Sequence, residues 1–325
     1  MLPYFKSILE FASLAPSGHN TQPWKFTVEG HYIRISPDFT RRLPVADADD
    51  HELFISLGCA LENLVLAASH FGYGANVMYD LKGSNPGIIL HLYEDNTLKA
   101  DPLFEYISLR HVNRGEYTSD AIPFEMLHLL QKSVNEQEAQ LKLVTTEEQK
   151  EKLALLTAVA ARMQFRNPAF KEELLQWMRF NSKSANETHD GVPSAAVGAP
   201  STSPAVGRFF FRRFVSASGE AAKAAGFVEQ APALVVLAAP GNNKEAWVKL
   251  GRNYERLALT ATRYNLSHSH FNMACEEESV RKRLKETLHL EGEPLLLLRF
   301  GFAKEELPPA QRRPLNELMT NGTMV

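Results

Sequence analysis

Residues 15–26 read APSGHNTQPWKF, and the interpretation of the rest of the chain starts from them. Pro16, Ser17 and Gly18 have turn chemistry, because proline fixes φ, serine can bond its own backbone and glycine tolerates positive φ. Short polar side chains follow, and residues 24–28 then have the aromatic and β-branched content of a strand. Such a loop could bind the edge of a flat polar ring through free backbone N–H groups. Composition alone favours the simpler alternative, an ordinary connector between a helix and a strand.

Length and composition set the broad class of the protein. The 325 residues suffice for one large or two medium domains, with 44% hydrophobic and 22% charged residues, as in ordinary globular proteins. The net charge of −3 gives no basic surface for nucleic acid or an anionic membrane. We expect neither a signal peptide nor a window apolar enough to span a membrane. Cys59 and Cys275 lie in helix-like segments without metal-ligand spacing, which predicts a reduced, cytoplasmic protein.

Hydrophobic periodicity predicts alternating helices and strands. The expected helices are residues 3–14, a helix that Asp49 or Asp50 caps and that ends at Gly72 or Gly74, then 124–132, 147–180 with a break at Pro168, 207–225, 244–265 and 276–288. The expected strands are residues 24–28, 32–35, 75–81, 87–93, 141–145, 233–239 and 294–302. Residues 181–206 are rich in Ser, Ala, Gly and Pro without periodicity, and long loops of this kind are usually lids or disordered.

Two of the predicted helices resemble each other. Residues 57–74, LGCALENLVLAASHFGYG, align without gaps with residues 250–267, LGRNYERLALTATRYNLS, so that Gly58 matches Gly251 and Glu62 matches Glu255. A true repeat would mean that one architectural unit occurs twice, with these helices packed at a pseudo-twofold axis. The alternative is that two amphipathic helices look alike by composition.

Two arginine clusters could bind an anion. Residues 110–114, RHVNR, carry two arginines four positions apart, and residues 311–314 read QRRP. A guanidinium is always charged and presents a planar fork of donors, which suits phosphate or a ring carbonyl. Taken alone, each cluster is better explained as a solvated charged surface.

Other stretches give weaker signals. His268 and His270 could suggest a metal, but two histidines at i, i+2 without a third ligand indicate a polar loop, and no metal is predicted. Trp177 and the segment DGVP at residues 190–193 indicate a core aromatic and a surface insert. Cys59 is expected to be a buried thiol rather than a nucleophile. The sequence lacks the motifs GxGxxG after a strand, Walker A, HExxH and GxSxG.

Taken together, these stretches resemble the nitroreductase family, which uses flavin mononucleotide (FMN), and in particular its fused, Acg-like branch. Residues 16–24, PSGHNTQPW, match a long and specific pattern of the flavin-contacting loop, and the resemblance covers nearly the whole chain. It implies an α+β fold, with a central, mostly antiparallel sheet wrapped by helices in two related halves that form a pseudo-dimer. The halves would be residues 1–100 and residues 101–325, the second with a lid insert at 181–206.

The resemblance also implies a binding site with one FMN per chain. Arg110 would meet the flavin phosphate together with the arginines of residues 311–314, and Arg114 would meet the N1/O2 edge of the ring. The turn after the second repeat helix would donate a backbone N–H to N5. Val112 stands where the family often has serine, and valine lacks the hydroxyl group for that side-chain contact. The implied cofactor-binding set is Pro16, Ser17, Gly18, Asn20, Arg110, His111, Asn113, Arg114, Ser267, His268, Ser269, Gln311, Arg312 and Arg313.

The implied function is transfer of two electrons from NAD(P)H to a nitro- or quinone-like acceptor, with the flavin rather than a side chain carrying the chemistry. Arg114 would favour the reduced flavin anion. The competing hypothesis is an FMN store whose lid leaves no room for nicotinamide, and a third is a flavin-free scaffold. The expected partner is a small-molecule substrate, not nucleic acid or a membrane, for a monomer that acts as a pseudo-dimer or for a homodimer.

Overall fold

The computed structural model describes residues 4–95 and 97–320, in which helices and strands alternate along the chain. The first elements are α1 (Phe5–Ser13), β1 (Trp24–Glu29), β2 (Tyr32–Pro37), α2 (His51–His70), β3 (Tyr73–Asp80) and β4 (Gly87–Glu94). Then come α3 (Phe124–Lys132), β5 (Gln140–Val144), α4 (Glu147–Arg166), α5 (Pro168–Trp177), β6 (Met178–Arg179), α6 (Ser182–Thr188), β7 (Val192–Pro193), α7 (Pro204–Phe214) and α8 (Ala217–Glu229). The remaining elements are β8 (Ala233–Ala239), α9 (Lys244–Arg263), β9 (Ser267–His270), α10 (Met273–Glu276), α11 (Glu278–Leu288), β10 (Glu293–Gly301) and α12 (Leu315–Leu318). The predicted helix start at Pro3 lies outside the described residues.

The main strands form two four-stranded sheets, in the orders β1-β2-β4-β3 and β5-β8-β10-β9. Every pairing within them is antiparallel, and β6 and β7 form a separate short parallel pair. Strand β8 is buried along its whole length, as an apolar run without alternation predicts. The predicted α+β, mostly antiparallel fold is confirmed, with the strands divided between two sheets.

Helices α2 and α9, which carry the two similar sequences, cross at their glycines. A Cβ added to Gly58 would lie 2.0 Å from the carbonyl oxygen of Val248, and one added to Gly251 would lie 2.0 Å from that of Ile55. Ile55 and Val248 each lie three residues before the glycine of their own helix, so the two close contacts correspond to each other. The predicted packing of these helices against each other is therefore observed, and it requires glycine at both positions.

The start of α2 is held by a residue that the sequence analysis did not choose. Asp50 precedes the helix in a left-handed conformation (φ 65°), and its side chain makes no capping bond. Asp47 takes that role, because its two carboxylate oxygens accept from the backbone N–H groups of Glu52 (3.0 Å) and Leu53 (2.9 Å). The helix therefore begins with a buried acid beneath its first turn.

Helix α2 also contradicts the expectation that no window is apolar enough to span a membrane. By length and composition it could do so, since its best 18-residue window has a mean hydropathy of 1.5. However, 83% of that window is buried inside the protein. A helix that is apolar all round and packed on every side is typical of a core helix.

Residues 181–206, which we name the lid segment, contain regular structure where the sequence predicted none. Asn181 caps α6 by accepting from the N–H of Ser184 at 2.8 Å, and Ser203 caps α7, which begins inside the segment. The polar residues that obscure the helical pattern of apolar side chains in this segment serve as helix caps. The segment is thus a series of short elements rather than a structureless loop.

The single helix predicted for residues 207–225 is two helices. Val215 leaves the helical conformation after α7, and Ser216 caps α8 by accepting from the N–H of Gly219 at 3.0 Å. The predicted break at Pro168 between α4 and α5 is confirmed. Residues 267–270, predicted as a turn, form strand β9 against β10.

Candidate ligand-binding site

The polar loop, residues 15–22, has an unusual backbone. His19, Asn20 and Gln22 have positive φ values of 48°, 55° and 51°. The Ser17 hydroxyl accepts a hydrogen bond from the Gln22 N–H at 2.8 Å, which holds the turn. Left-handed residues other than glycine cost energy and concentrate at binding sites. This conformation must therefore be stabilised by contacts from outside the loop.

Those contacts come from two distant segments. The Asn20 side-chain amide donates to the carbonyl oxygens of Gly191 and Gln311, both at 3.0 Å. The Gln22 amide donates to the carbonyl oxygen of His189 at 2.9 Å, and its oxygen accepts from the Arg313 N–H at 2.7 Å. The lid segment and residues 311–313 thus fix the polar loop from two sides.

The polar loop borders the larger of two adjoining cavities, with a volume of about 280 Å³. Ser17 and Arg114 both line it, so the structure brings the loop and the first arginine cluster to one cleft. Helix α2 contributes one face, Glu52, Ser56 and Cys59, at the spacing that puts side chains on the same side of a helix. The other lining residues include Pro16, Gly18, His19, Ile55, Val112, Gln164, Phe165, Phe170, Leu174, Tyr254, His270, Asn272, Met273, Glu276 and Leu296.

The smaller cavity, of about 260 Å³, shares Pro16, Ser17, Val112 and Arg114 with the larger one. Asn20, His111 and the lid residue Val192 also line it. Ligand pockets typically have volumes of about 300–1,000 Å³, a range that the two cavities reach together. An elongated ligand could therefore extend through both.

Three arginines line the smaller cavity: Arg110, Arg114 and Arg312. Arg110 is 4% exposed and donates to the Leu14 carbonyl oxygen at 3.2 Å, but its Nε and Nη1 have no hydrogen-bond partner among the described residues. Arg312 donates to Asn20 Oδ1 at 3.0 Å, and its Nε is likewise without a hydrogen bond there. Buried N–H groups without an acceptor lower the stability of the fold. An anion bound in the cavity would accept hydrogen bonds from them.

The positive charge of the three arginines is only partly neutralised by acidic side chains of the described residues. Glu255 faces Arg110, with Oε1 and Nε 3.3 Å apart, and burial raises the pKa of Glu255 to about 7. Burial and the neighbouring Arg110 lower the pKa of Arg312 to about 9, so it remains a cation at neutral pH. Among residues 4–95 and 97–320 the Arg114 guanidinium forms neither a hydrogen bond nor an ion pair, and burial lowers its pKa. One acid therefore stands among three arginines.

Several of the residues in the implied cofactor-binding set contact the protein instead of the cavities. The Asn113 amide donates to the Glu305 carbonyl oxygen at 2.8 Å, and the Arg313 guanidinium contacts Glu317. Ser269 accepts from Arg299 at 2.7 Å. The set that does not line either cavity is Asn113, Ser267, His268, Ser269, Gln311 and Arg313.

The histidines of β9 are divided between core and cavity. His268 is buried and lies 3.1 Å from the Tyr254 hydroxyl, whereas His270 lines the larger cavity. Burial and the nearby Arg114 and Arg110 lower the pKa of His270 to about 3, and burial lowers the pKa of His268 as well. Both rings are neutral at pH 7, so neither supplies a proton.

The segment DGVP closes over the polar loop, while Trp177 does not reach the cavities. Asp190 pairs with both Arg41 and Arg179, and the Arg41 guanidinium lies 5.1 Å from the centre of the Trp177 ring. Trp177 packs with Leu43 and other apolar side chains in a small separate cluster. Its role is thus structural, as its residue type predicted.

Comparisons with known proteins found relatives by sequence and similar solved structures. No family model matches the chain. It is 24% identical to the acg protein of Mycobacterium tuberculosis, whose name places it among the NAD(P)H nitroreductases, over 96% of this chain and 94% of that one. It is 23% identical to PigM of Serratia sp., also named as an NAD(P)H nitroreductase, over 97% of this chain and 92% of that one. The chain is thus similar to these Acg-like proteins over nearly its whole length.

Solved structures resemble the chain at lower sequence identity. The FMN-dependent nitroreductase NfnB of Mycobacterium smegmatis, in complex with NADPH, is 16% identical and superposes with a TM-score of 0.44. The match covers 67% of this chain and 97% of that one.

Sequence reasoning missed most of the residues that line the larger cavity. Glu52, Ser56 and Cys59 recur at helical spacing on α2, which was a usable signal. Glu276 and Gln164 come from distant elements and carry no local signal. Cys59 is a buried thiol, as predicted: its Sγ lies 3.3 Å from the Gly251 carbonyl oxygen, and burial raises its pKa.

One group of side chains has the composition of a metal site. Candidate ligand atoms of Asp47, Asp49 and His51 lie within 4.8 Å of one another. The carboxylates and His51 Nδ1 already have partners, however, because Asp47 caps α2 and His51 Nδ1 lies 3.1 Å from Asp47 and 2.5 Å from Asp49. The clustering of these three side chains is explained by the ion pairs of His51 with Asp47 and Asp49 at the start of α2.

Proposed function

We propose that the chain is an FMN-binding oxidoreductase that transfers two electrons from NAD(P)H to a nitro- or quinone-like acceptor. The observation that carries this proposal is the set of buried arginine N–H groups beside the smaller cavity that have no hydrogen-bond partner among the described residues. They fit a phosphate, because guanidinium groups bind phosphate oxygens in a fork and a dianion would balance their charge. The names of the full-length relatives supply the reaction class.

In this proposal each residue has a role that its position supports. Arg110 and Arg312 hold the phosphate in the smaller cavity. Arg114, which lines both cavities, faces the polar edge of the ring, and the backbone of Ser17 and Gly18 contributes hydrogen-bond donors. When bound, FMN would supply the electron-transfer chemistry. Arg114 would stabilise negative charge on the ring, and the lid segment would exclude water from the smaller cavity.

We further propose that the chain acts as a monomer with pseudo-twofold organisation, with halves at residues 1–100 and 101–325, in a reducing, cytoplasmic compartment. The crossing of α2 and α9 supports this, since each repeat helix already has its counterpart in the same chain. Size-exclusion chromatography with light scattering tests it. A mass twice that of the chain would contradict the monomer.

The visible absorption spectrum of the purified protein, before and after added FMN, is the first test. We expect a flavin spectrum and steady-state NAD(P)H oxidation with a quinone or nitroarene. Arg114→Ala should retain some flavin but lower its reduction potential, because the cation beside the ring is lost. A yellow protein without turnover would refute the enzyme in favour of FMN storage. A colourless protein that takes up no FMN would refute both.

A further inference from the structure

Two carboxyl groups meet on the wall of the larger cavity. Glu52 lies in the first turn of α2 and Glu276 at the end of α10, and both line the cavity. Asn272 connects the two residues, because its side chain donates to Glu52 at 2.9 Å and its backbone carbonyl oxygen accepts from the Glu276 backbone N–H at 2.8 Å. Two neighbouring carboxyl groups on one cavity wall favour a state in which one of them is protonated, since like charges close together oppose ionisation of both.

Both carboxyl groups are held in position by amides. Gln164 Nε2 donates to Glu276 at 2.5 Å, and Asn272 Nδ2 donates to Glu52 at 2.9 Å. Asn272 is itself fixed, because its Oδ1 accepts from the backbone N–H of Leu297 at 3.0 Å. The pair therefore has a defined geometry rather than a chance contact.

No cation neutralises the pair. Among the described residues, neither Glu52 nor Glu276 has a lysine or arginine within ion-pair distance. Elsewhere the protein does neutralise a buried acid: Glu62 pairs with Arg252 and Arg256. An acid pair without a cation retains its proton, because two like charges cannot both ionise at such short range.

The other charged and polar groups near the pair reinforce this state. Burial raises the pKa of Glu276, and the Glu52 and Asp47 carboxylates raise it further. His19 lines the same cavity, with its Nδ1 lacking a hydrogen-bond partner among the described residues, and burial lowers its pKa. A Cβ on Gly18 would lie 2.8 Å from Glu52 Oε2, so glycine allows the polar loop to approach the pair. The proton is thus stored in a confined part of the cavity that faces the polar loop.

We propose that Glu276 is a proton donor to the oxygen of a carbonyl or nitro acceptor bound in the larger cavity, and that Glu52 is a positioning residue that holds the proton. This inference rests on the proposed function. Reduction of a quinone to a hydroquinone consumes one hydride and one proton. Reduction of a nitro group to a nitroso group and water consumes the same. The hydride brings two electrons, Glu276 supplies the proton, and the resulting carboxylate is reprotonated from water.

The chemical class of acceptor separates this role from a structural one. A quinone needs a proton as it is reduced, whereas ferricyanide accepts one electron and no proton. Glu276→Gln should therefore slow turnover with a quinone by about 10²–10⁴-fold, the usual contribution of general acid catalysis. Turnover with ferricyanide should stay within about twofold of the wild-type rate, because this acceptor takes no proton. Glu278→Gln, an exposed position two residues further on, is the matched control and should change neither rate.

An infrared measurement gives a readout that does not depend on activity. At pH 7 the wild type should show carbonyl stretches of protonated carboxylic acids, shifted in D₂O, to which Glu255 also contributes because its pKa is about 7. Glu276→Gln should remove one component and leave the rest. An unchanged protonated-acid spectrum in Glu276→Gln would overturn the inference, and so would equal slowing of quinone and ferricyanide reduction. Failure of the wild type to turn over with any acceptor would overturn the proposed function and this inference with it. Slowing confined to the quinone, together with loss of that component, would establish the proton donor.

Discussion

The crossing of α2 and α9 gives a prediction that can be worked out from distances. Gly251→Ala places a methyl group 2.0 Å from the carbonyl oxygen of Ile55 and 3.0 Å from the Cα of Gly58. Non-bonded heavy atoms essentially never come within 3.0 Å of a Cβ atom, so the methyl group or its neighbour must shift. The neighbour is the Ile55 carbonyl oxygen, which belongs to the backbone of α2 and cannot rotate away as a side chain could. The two helix axes must therefore separate by about 1 Å, a displacement of the kind that overpacked cores make.

The expected cost follows from that displacement. Overpacking typically destabilises by about 1–3 kcal/mol, and contact with rigid backbone places this substitution at the upper end. Alanine recovers about 0.8–1.0 kcal/mol over glycine through its helix propensity. The net loss in the free energy of unfolding should be about 2 kcal/mol.

Urea unfolding followed by circular dichroism measures this effect, and Gly226→Ala in α8 is the matched control. A Cβ at Gly226 would meet nothing within 4 Å, so this substitution should stabilise the protein by about 0.5–1 kcal/mol. Adding Gly58→Ala to Gly251→Ala should cost less than Gly58→Ala alone, because the helices have already separated. Equal urea midpoints for Gly251→Ala and Gly226→Ala would refute the close crossing.

Three other predictions test the site and its closure. Arg312→Ala should weaken FMN binding at least tenfold in a titration, about the 1.4 kcal/mol of one charge-assisted hydrogen bond, whereas Arg313→Ala, outside both cavities, should not; equal losses would show that the phosphate lies elsewhere. Burial raises the pKa of Glu255 from 4.5 to about 7, so the native state binds more protons than the unfolded chain and stability should fall as pH rises between those values. Urea midpoints against pH should lose this component, of about 3 kcal/mol, in Glu255→Gln, and an unchanged pH dependence would count against it. Asp190→Asn should accelerate proteolysis within the lid segment about tenfold, because two arginines lose their shared carboxylate; an unchanged cleavage rate would mean that this pairing does not hold the lid.

The sequence predicted the elements that have strong local patterns. The similar helices α2 and α9 were identified because apolar residues recur at helical spacing around Gly58 and Gly251. Strand β8 was identified with its observed bounds because residues 233–239 are an uninterrupted apolar run. For such elements local periodicity and tertiary burial favour the same structure.

The sequence could not predict elements that depend on distant partners. Strand β9 reads SHSH, which lacks apolar alternation, and it is a strand because β10 pairs with it. The pair of Glu52 and Glu276 likewise has no local signature, since the two residues are brought together only by the packing of α2 and α10. Arg110, Arg114 and Arg312 line a cleft with the polar loop, whereas Arg313 lies outside it, and residue type alone could not distinguish Arg313 from Arg312.

The hydrogen bonds of the polar loop also bear on how this protein is made. Asn20 bonds to Gln311, 291 residues further along the chain, and Phe26 forms a bridge with Met319. A ribosome that has released only the first two hundred residues has produced the polar loop with its partners His189 and Gly191, but without residues 311–313, which fix its other side. Pocket maturation must therefore wait for late translation, and nascent chains stalled before residue 311 should leave this loop sensitive to proteases.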